Sequence, residues 1–287
     1  MVASVRQRGV ALILVMWLVA LLIALVGAFA MTARIEYMQG RVLSGSVVAG
    51  QAARAGLEYA MTRVVLPETE GAWLPDGRAY PWTFGAARVE VRLVDESAKV
   101  DLNNADVNLI SGLLRAVGAE PDAATGVAAA IVDWRDPDSL TQPSGGAEDP
   151  QYAAAERPYG AKDAPFETVA EVEQVLGMTP ALYALVAEHL TVHSGRPQPD
   201  QRFASAAVLQ ALGIDPQPIL AERERGSVPG SGGAIVGGGS GTYSIDSRAR
   251  LPDGRRAVLR ALVRTGASGL PGGAYTPLRW EEGATPR

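Results

Sequence analysis

Residues 10–31, VALILVMWLVALLIALVGAFAM, contain no charged side chain, and reading them as one helix decides how the rest of the chain is organised. At about 1.5 Å rise per residue, such a helix spans a hydrocarbon core of roughly 30 Å. Arg6 and Arg8 stand just before it. The positive-inside rule therefore leaves the short N-terminus in the cytoplasm and puts everything after Met31 across the membrane, which in a bacterium is the periplasm. A secretory signal is the competing reading, with Ala28-Phe29-Ala30 as its small-residue cleavage site. The apolar stretch is longer than a usual signal core, however, and the sequence beyond it continues as a helix. Ile35, Met38, Val42, Ala49, Ala53, Leu57, Ala60 and Val64 recur at mostly three- and four-residue intervals. Gly40, Gly45, Gly50 and Gly56 each weaken such a helix by up to about 1 kcal/mol relative to alanine, so its second half needs a packing partner. Pro67 marks its end.

The whole chain is 287 residues with net charge −5, 47% hydrophobic residues and no cysteine. That excludes a disulfide framework, a thiolate nucleophile and a cysteine-rich metal site. The negative balance argues against generic nucleic-acid binding. Residues 87–93 alternate strictly, with Val89, Val91 and Leu93 on one face and Arg88, Glu90 and Arg92 on the other, as in a half-buried strand. A second alternating stretch, 242–251, runs into Pro252-Asp253-Gly254 and then 257–264, a hairpin with its turn chemistry in place. The sequence between these strand regions reads mainly as helix, so a helical domain is inserted between strands of one sheet.

Within the insert, Asn103 or Asn104 caps a helix carrying Leu109, Ile110, Leu113, Leu114 and Val117, and a second helix carries Val127, Ile131 and Trp134. Thr168 with Glu171 forms a capping box ahead of Val172, Val175 and Leu176, and Gly177 ends that helix. Thr179-Pro180 starts another, with Leu182, Leu185, Val186 and Leu190. A third short pair covers 204–212 and 216–224, and the glycine-rich 227–241 links back to the sheet. Gly237 to Gly241 lacks the lysine of a phosphate loop.

The strongest polar cluster is Asp133, Asp136, Asp138, Glu148 and Asp149, set around the loop DWRDPDSLTQPSGGAEDPQY. Crowded carboxylates repel unless water or a cation screens them, and a hard ion takes six to eight oxygens from such loops. Without EF-hand spacing, a solvated acidic loop is the alternative. His189 and His193 lie four apart, a zinc-compatible spacing, but with no third ligand they read as a helix terminus. The hairpins VGAEPD and VLGMTPA are similar in size to helix-hairpin-helix modules, yet carry little of the positive charge that phosphate binding needs.

A basic leader ending in glycine, an unbroken apolar helix and an amphipathic extension resemble the N-terminal plan of type IV pilins and pseudopilins, with RQRG before VALIL like a prepilin peptidase site. That resemblance implies cleavage after Gly9 and methylation of Val10. It also places Leu14 fifth in the mature chain, where most members have glutamate for pairing with a neighbouring subunit's amine; leucine suits the tip, where no earlier subunit is contacted. Together with LVDESAKVDLNNAD, IVDWRDPD, GGAEDPQY and PFETVAEVEQVLGMTPALYALVAEHLTVHSG, this order of segments resembles the minor pseudopilin K family of type II secretion. The resemblance implies an α+β, type IV pilin-like fold, a long N-terminal helix on a small antiparallel sheet, with a large all-helical insertion. Its parts would be a leader (1–9), the transmembrane and amphipathic helix (10–66), the α/β domain (67–100 and 237–287) and the insert (101–236). It implies a non-enzymatic subunit of the inner membrane, its bulk periplasmic, joined to minor pseudopilins I and J at the pseudopilus tip. Prepilin peptidase, the inner-membrane assembly platform and the lipid bilayer are the other implied partners, with no nucleic acid. It also implies structural calcium (Ca2+) at Asp133, Asp136, Asp138, Glu148 and Asp149. The alternatives are a membrane-anchored DNA-binding module of a DNA-uptake system and a metal-dependent periplasmic hydrolase.

Overall fold

The computed structural model describes residues 8–64, 71–225, 240–266 and 275–283. The start of the leader, Pro67 and most of the glycine-rich linker lie outside the described residues.

Helix α1, Arg8–Val64, is continuous. Its part Ala11–Met38 is entirely unburied and apolar enough to cross a membrane. Beyond it, Ala49, Ala52, Ala53, Leu57, Ala60 and Met61 form a buried stripe of mostly small side chains, which lets a sheet approach closely. Gly56 shows how closely: a Cβ there would fall 2.5 Å from Ser247 Oγ and 2.6 Å from Val89 Cγ1. The glycine that weakens the isolated helix is thus required by its packing partner.

After α1 come β1, Asp76–Phe84, and β2, Ala87–Asp95. The chain then leaves the sheet. The excursion contains β3 (Val100–Asp101), α2 (Val107–Ala116), α3 (Pro121–Arg135), α4 (Asp149–Ala154), α5 (Pro180–Val186), β4 (Leu190–Thr191), α6 (Ala206–Ala211) and α7 (Pro216–Glu224). It returns as β5 (Thr242–Arg250), β6 (Arg256–Thr265) and β7 (Tyr275–Glu282). The sheet order is β1-β2-β5-β6-β7, with every neighbouring pair antiparallel. Val89, Val91 and Leu93 meet Ile245, Leu259 and Val263 beneath α1 in one core. The insert has its own core, including Leu102, Ile110, Leu113, Leu114, Ile131, Trp134, Tyr152 and Leu209.

Local differences from the sequence reading have simple causes. The cap of α2 is Asp106, whose carboxylate accepts from Leu109 N at 2.8 Å, because the two asparagines are occupied elsewhere. Asn103 exchanges two hydrogen bonds with the Phe166 backbone, and Asn104 donates to Asp101. The Thr168–Glu171 capping box forms, but over a single 3-10 segment, Val169–Gln174. Thr179 caps α5 as expected, whereas Leu190 leaves that helix to pair in β4 alongside Val100.

Three buried carboxylates lie at the root of the insert, and two of them, Asp95 and Glu96, fasten it to the sheet. Asp95 accepts from Ser97 N at 2.7 Å and from Ser240 Oγ at 2.7 Å, tying the departing chain to the returning one. Glu96 accepts from Lys99 Nζ at 2.6 Å, from Ser244 Oγ on β5 at 2.5 Å, and from Thr191 Oγ1. Asp101 accepts from Asn103 N, Asn104 Nδ2, Ser194 Oγ and Gly195 N, at 2.8 to 3.1 Å. Each negative charge is thus met by donors, the condition under which burial of a carboxylate is tolerated.

Candidate metal centre

A second group of acids, two buried and one half-buried, has few such donors. Asp133 lies in the last turn of α3, Asp136 is the residue that ends it, and Glu148 is the residue before α4. The loop between the two helices folds back so that one ligand oxygen from each of the three lies within 4.8 Å of the others. Asp133 is fully buried and Glu148 is 4% exposed. Gly146 makes the approach possible, since a Cβ there would fall 1.9 Å from Asp133 Oδ2. Gly145 supplies a left-handed turn, with φ 97°.

Asp133 accepts backbone hydrogen bonds from Gln142 N, at 3.1 Å, and from Ala147. Asp136 Oδ1 and Glu148 Oε1 are buried with no hydrogen-bond partner. Burial pushes the Glu148 carboxyl up to about 7, with further upward pressure from Asp133, Asp163, Asp136 and Asp138. Asp133 and Asp136 are likewise raised, chiefly by burial and then by their acidic neighbours. A protein seldom keeps orphaned carboxylate oxygens in such a place, and a cation removes both the orphaning and the repulsion. The donor set is all oxygen, which suits a hard ion. Two oxygens bound at about 2.4 Å to one such ion lie at most about 4.8 Å apart, matching the observed cluster.

Of the five acids singled out in the sequence, the fold brings these three together. Asp138 is exposed, accepting from Leu140 N at 2.8 Å, and acts on the cluster through its charge. Asp149 is exposed and accepts from Ala161 N at 3.2 Å. Sequence reasoning missed Asp163, whose charge bears on both Glu148 and Asp136. It is exposed and sits in left-handed backbone at φ 53°, in a stretch with no periodicity to draw attention to it. The cluster is the one group of this kind among the described residues, and the histidines are not in it. His189 Nδ1 lies 3.1 Å from Ser205 Oγ, and burial lowers its pKa.

The hairpin between α2 and α3 presents Gly118 with Glu120 and Asp122, all exposed. Two carboxylates thus stand where a phosphate would approach, so the DNA-binding alternative finds no support here. At the other end of the molecule, Gly9, Val10 and Leu14 lie in the first turns of α1, and Leu14 is exposed on its bare stretch.

The sequence pattern of the family described as "Type II secretion system (T2SS), protein K" matches residues 87–198. The type II secretion system protein K of Klebsiella pneumoniae is 28% identical over 236 residues, covering 72% of this chain and 71% of that protein. A chain in the crystal structure of the GspK-GspI-GspJ complex from the enterotoxigenic Escherichia coli type 2 secretion system superposes with a TM-score of 0.54 at 15% identity. That match covers 89% of this chain and 99% of the other, so the two share a fold, long helix, antiparallel sheet and helical domain together.

Proposed function

We propose that the chain is a member of the type II secretion system protein K family, a minor pseudopilin that starts or caps the pseudopilus at its tip. The observation that carries this reading is the polarity of the fold. The apolar length of α1 projects from one end of the sheet, while the insert leaves and re-enters at the other, where Asp95 meets Ser240. A body of that size above the sheet obstructs the stacking of a further subunit, and a subunit at the top needs no neighbour above. Leu14 supports the same placing: fifth after a cut at Gly9, it offers no carboxylate to an earlier subunit's amine. The complex in which the similar fold was solved names the partners we propose, the minor pseudopilins I and J.

Cleavage by prepilin peptidase between Gly9 and Val10, methylation of Val10, and contact of the membrane helix with the assembly platform complete this reading. So does a cytoplasmic N-terminus with the bulk of the chain periplasmic. The division is leader 1–9, helix 10–66, α/β domain 67–100 and 237–287, and insert 101–236. The role is structural, not enzymatic. Asp133, Asp136 and Glu148 would hold a calcium ion, which supplies the positive charge these carboxylates lack and clamps the α3–α4 loop; Asp138 and Asp149 are the further ligands proposed. Mass spectrometry of the membrane-extracted protein tests the placing: a chain beginning at N-methylated Val10 is expected, and one beginning at Met31 would overturn it. Co-expression with candidate I and J subunits is expected to yield a stable ternary complex.

A further inference from the structure

The outer face of the sheet, opposite α1, carries its charges in rows set by the strand register. In the middle, signs alternate: Arg92 pairs in register with Asp246, Asp246 with Arg260, and Arg260 with Glu281. Asp246 pairs with Arg260 across the strands at 3.1 Å and with Arg248, two residues along its own strand, at 2.8 Å, while Arg92 pairs with Glu90. The last row is different. Arg88 is opposite Arg250, and Arg250 is opposite Arg256. All three are exposed, and none has a carboxylate within ion-pair reach among the described residues. Like charges directly opposite one another destabilise a sheet. In a chain of net charge −5, this row is a local device, not a by-product of general basicity.

Its position shows what it faces. Arg255, in the turn that joins β5 to β6, packs on Gly45 of α1, so a Cβ at that glycine would strike its guanidinium. Gly56, further along the helix, meets the middle of the sheet. The arginine end of the sheet therefore points back along α1 toward Ala11–Met38, while the insert is attached at the opposite end. From Met38 to Gly45 is about 10 Å along the helix axis. The charge-free part of that span ends before Arg34 and measures about 34 Å against a hydrocarbon core of roughly 30 Å, which a modest tilt accommodates. A tilt toward the sheet lowers this rim to the headgroups. Phe84, beside the β1–β2 turn at the same end, is 48% exposed, and aromatic side chains favour the membrane interface.

We propose that Arg88, Arg250 and Arg256, with Phe84 beside them, form a rim that docks on the phosphate headgroups of an anionic bilayer. Arginine binds phosphate through a planar fork of donors, and a row of three in register presents those forks side by side. Docking holds the sheet against the membrane surface with the insert directed away from it. The proposal rests on α1 crossing a bilayer, and its test separates the two claims.

The chain has no cysteine, so Ala86→Cys in the exposed β1–β2 turn gives a single attachment point for an environment-sensitive dye. The full chain is placed in nanodiscs of phosphatidylcholine, or of the same lipid with phosphatidylglycerol, each carrying a headgroup quencher. Quenching is expected in the anionic discs, and its loss in 0.5 M salt. The combined variant Arg88→Gln, Arg250→Gln, Arg256→Gln should lower the docked-to-undocked ratio by about fivefold per arginine, while the corresponding lysine variant keeps most of the quenching. Equal quenching in both lipids, or none in either with the chain incorporated, overturns the rim alone, as would a response only on adding an acidic protein. Failure to incorporate in either disc overturns the membrane anchor and the rim together.

Discussion

The sheet and the insert handle charge in opposite ways. The sheet keeps most of its arginines and acids on the outer face, where Asp246 pairs with Arg248 and Arg260, and its core beneath α1 is mainly alanine, valine and leucine with Met61, Tyr243 and Ile245. The insert takes carboxylates inside. Of those, Asp95, Glu96 and Asp101 at its root are surrounded by N–H and O–H donors. Asp133, Asp136 and Glu148 further out have few, and two of their oxygens have none. The same chemical group is therefore a finished fastening in one place and an unfinished one in the other. The difference lies in the loops: those at the root turn their amides toward the acid, while the α3–α4 loop brings acids toward one another.

Removing a carboxylate from each class should have opposite consequences, and this is the sharpest way to break the comparison. Asp101→Ala strands four donors that served one anion and is expected to destabilise the full chain in detergent by about 3–5 kcal/mol in denaturant titration. Calcium should not restore it. Asp133→Asn removes a repelling charge from a crowded site and should leave the metal-free protein as stable as before or more so.

Adding calcium at a hundred times its dissociation constant should stabilise the unmodified protein by about 2.7 kcal/mol through mass action. A chain of this size would then show a melting temperature higher by about 5–10 °C. Glu148→Gln and Asp133→Asn should abolish that increment, and no rise at millimolar calcium would sink the metal assignment. A smaller effect, about 2 kcal/mol, is expected from pH alone. The folded Glu148 carboxyl titrates near 7, above its ordinary 4.5. The metal-free folded state therefore binds more protons than the unfolded chain between those values. Its stability is greatest below that window and falls as pH rises through it. With calcium present the trend reverses, because the ion binds the ionised carboxylates. Melting curves at pH 5 and pH 7.5, with and without chelator, read both signs.

The sheet side of the comparison is sharpened by Gly56→Ala. The added methyl overlaps Ser247 and Val89 and should cost about 1–2 kcal/mol, with no dependence on calcium or pH.

Legibility in the sequence followed the same division. Where a core is built from periodicity, as in α1, β2 and the β5–β6 hairpin, the elements were readable almost to their ends. β1 was not, because Gly77 and Pro81 interrupt it and its side chains work by aromatic stacking: Trp82 on Tyr59 at 4.5 Å, and Tyr80 on Trp73 at 4.5 Å. β7, with Pro277, was missed for a similar reason. Both are edge strands, where the ladder tolerates proline. The three clustered acids stood out because they crowd one loop, but which of the five converge is decided by the path between α3 and α4. The root acids lay in full view in LVDESAKVDLNN, yet beside their local donors each also accepts from residues some 90 to 148 positions away, which no local pattern announces.

The meeting of Asp95 with Ser240, 145 residues apart in sequence, gives the insert the geometry of a cartridge. Asp95 is already in register with Tyr243 on the adjoining strand, so a tight reverse turn is all that would be needed to close the gap if everything between were cut away. What remains would be an ordinary meander of antiparallel strands on its helix. The helical body meets the sheet through that junction, the Glu96–Ser244 hydrogen bond and the contact of Arg78 with the Arg223 carbonyl, so an insert of another size need preserve only these few contacts. Variation in the insert is thereby largely uncoupled from the packing of α1 on the sheet.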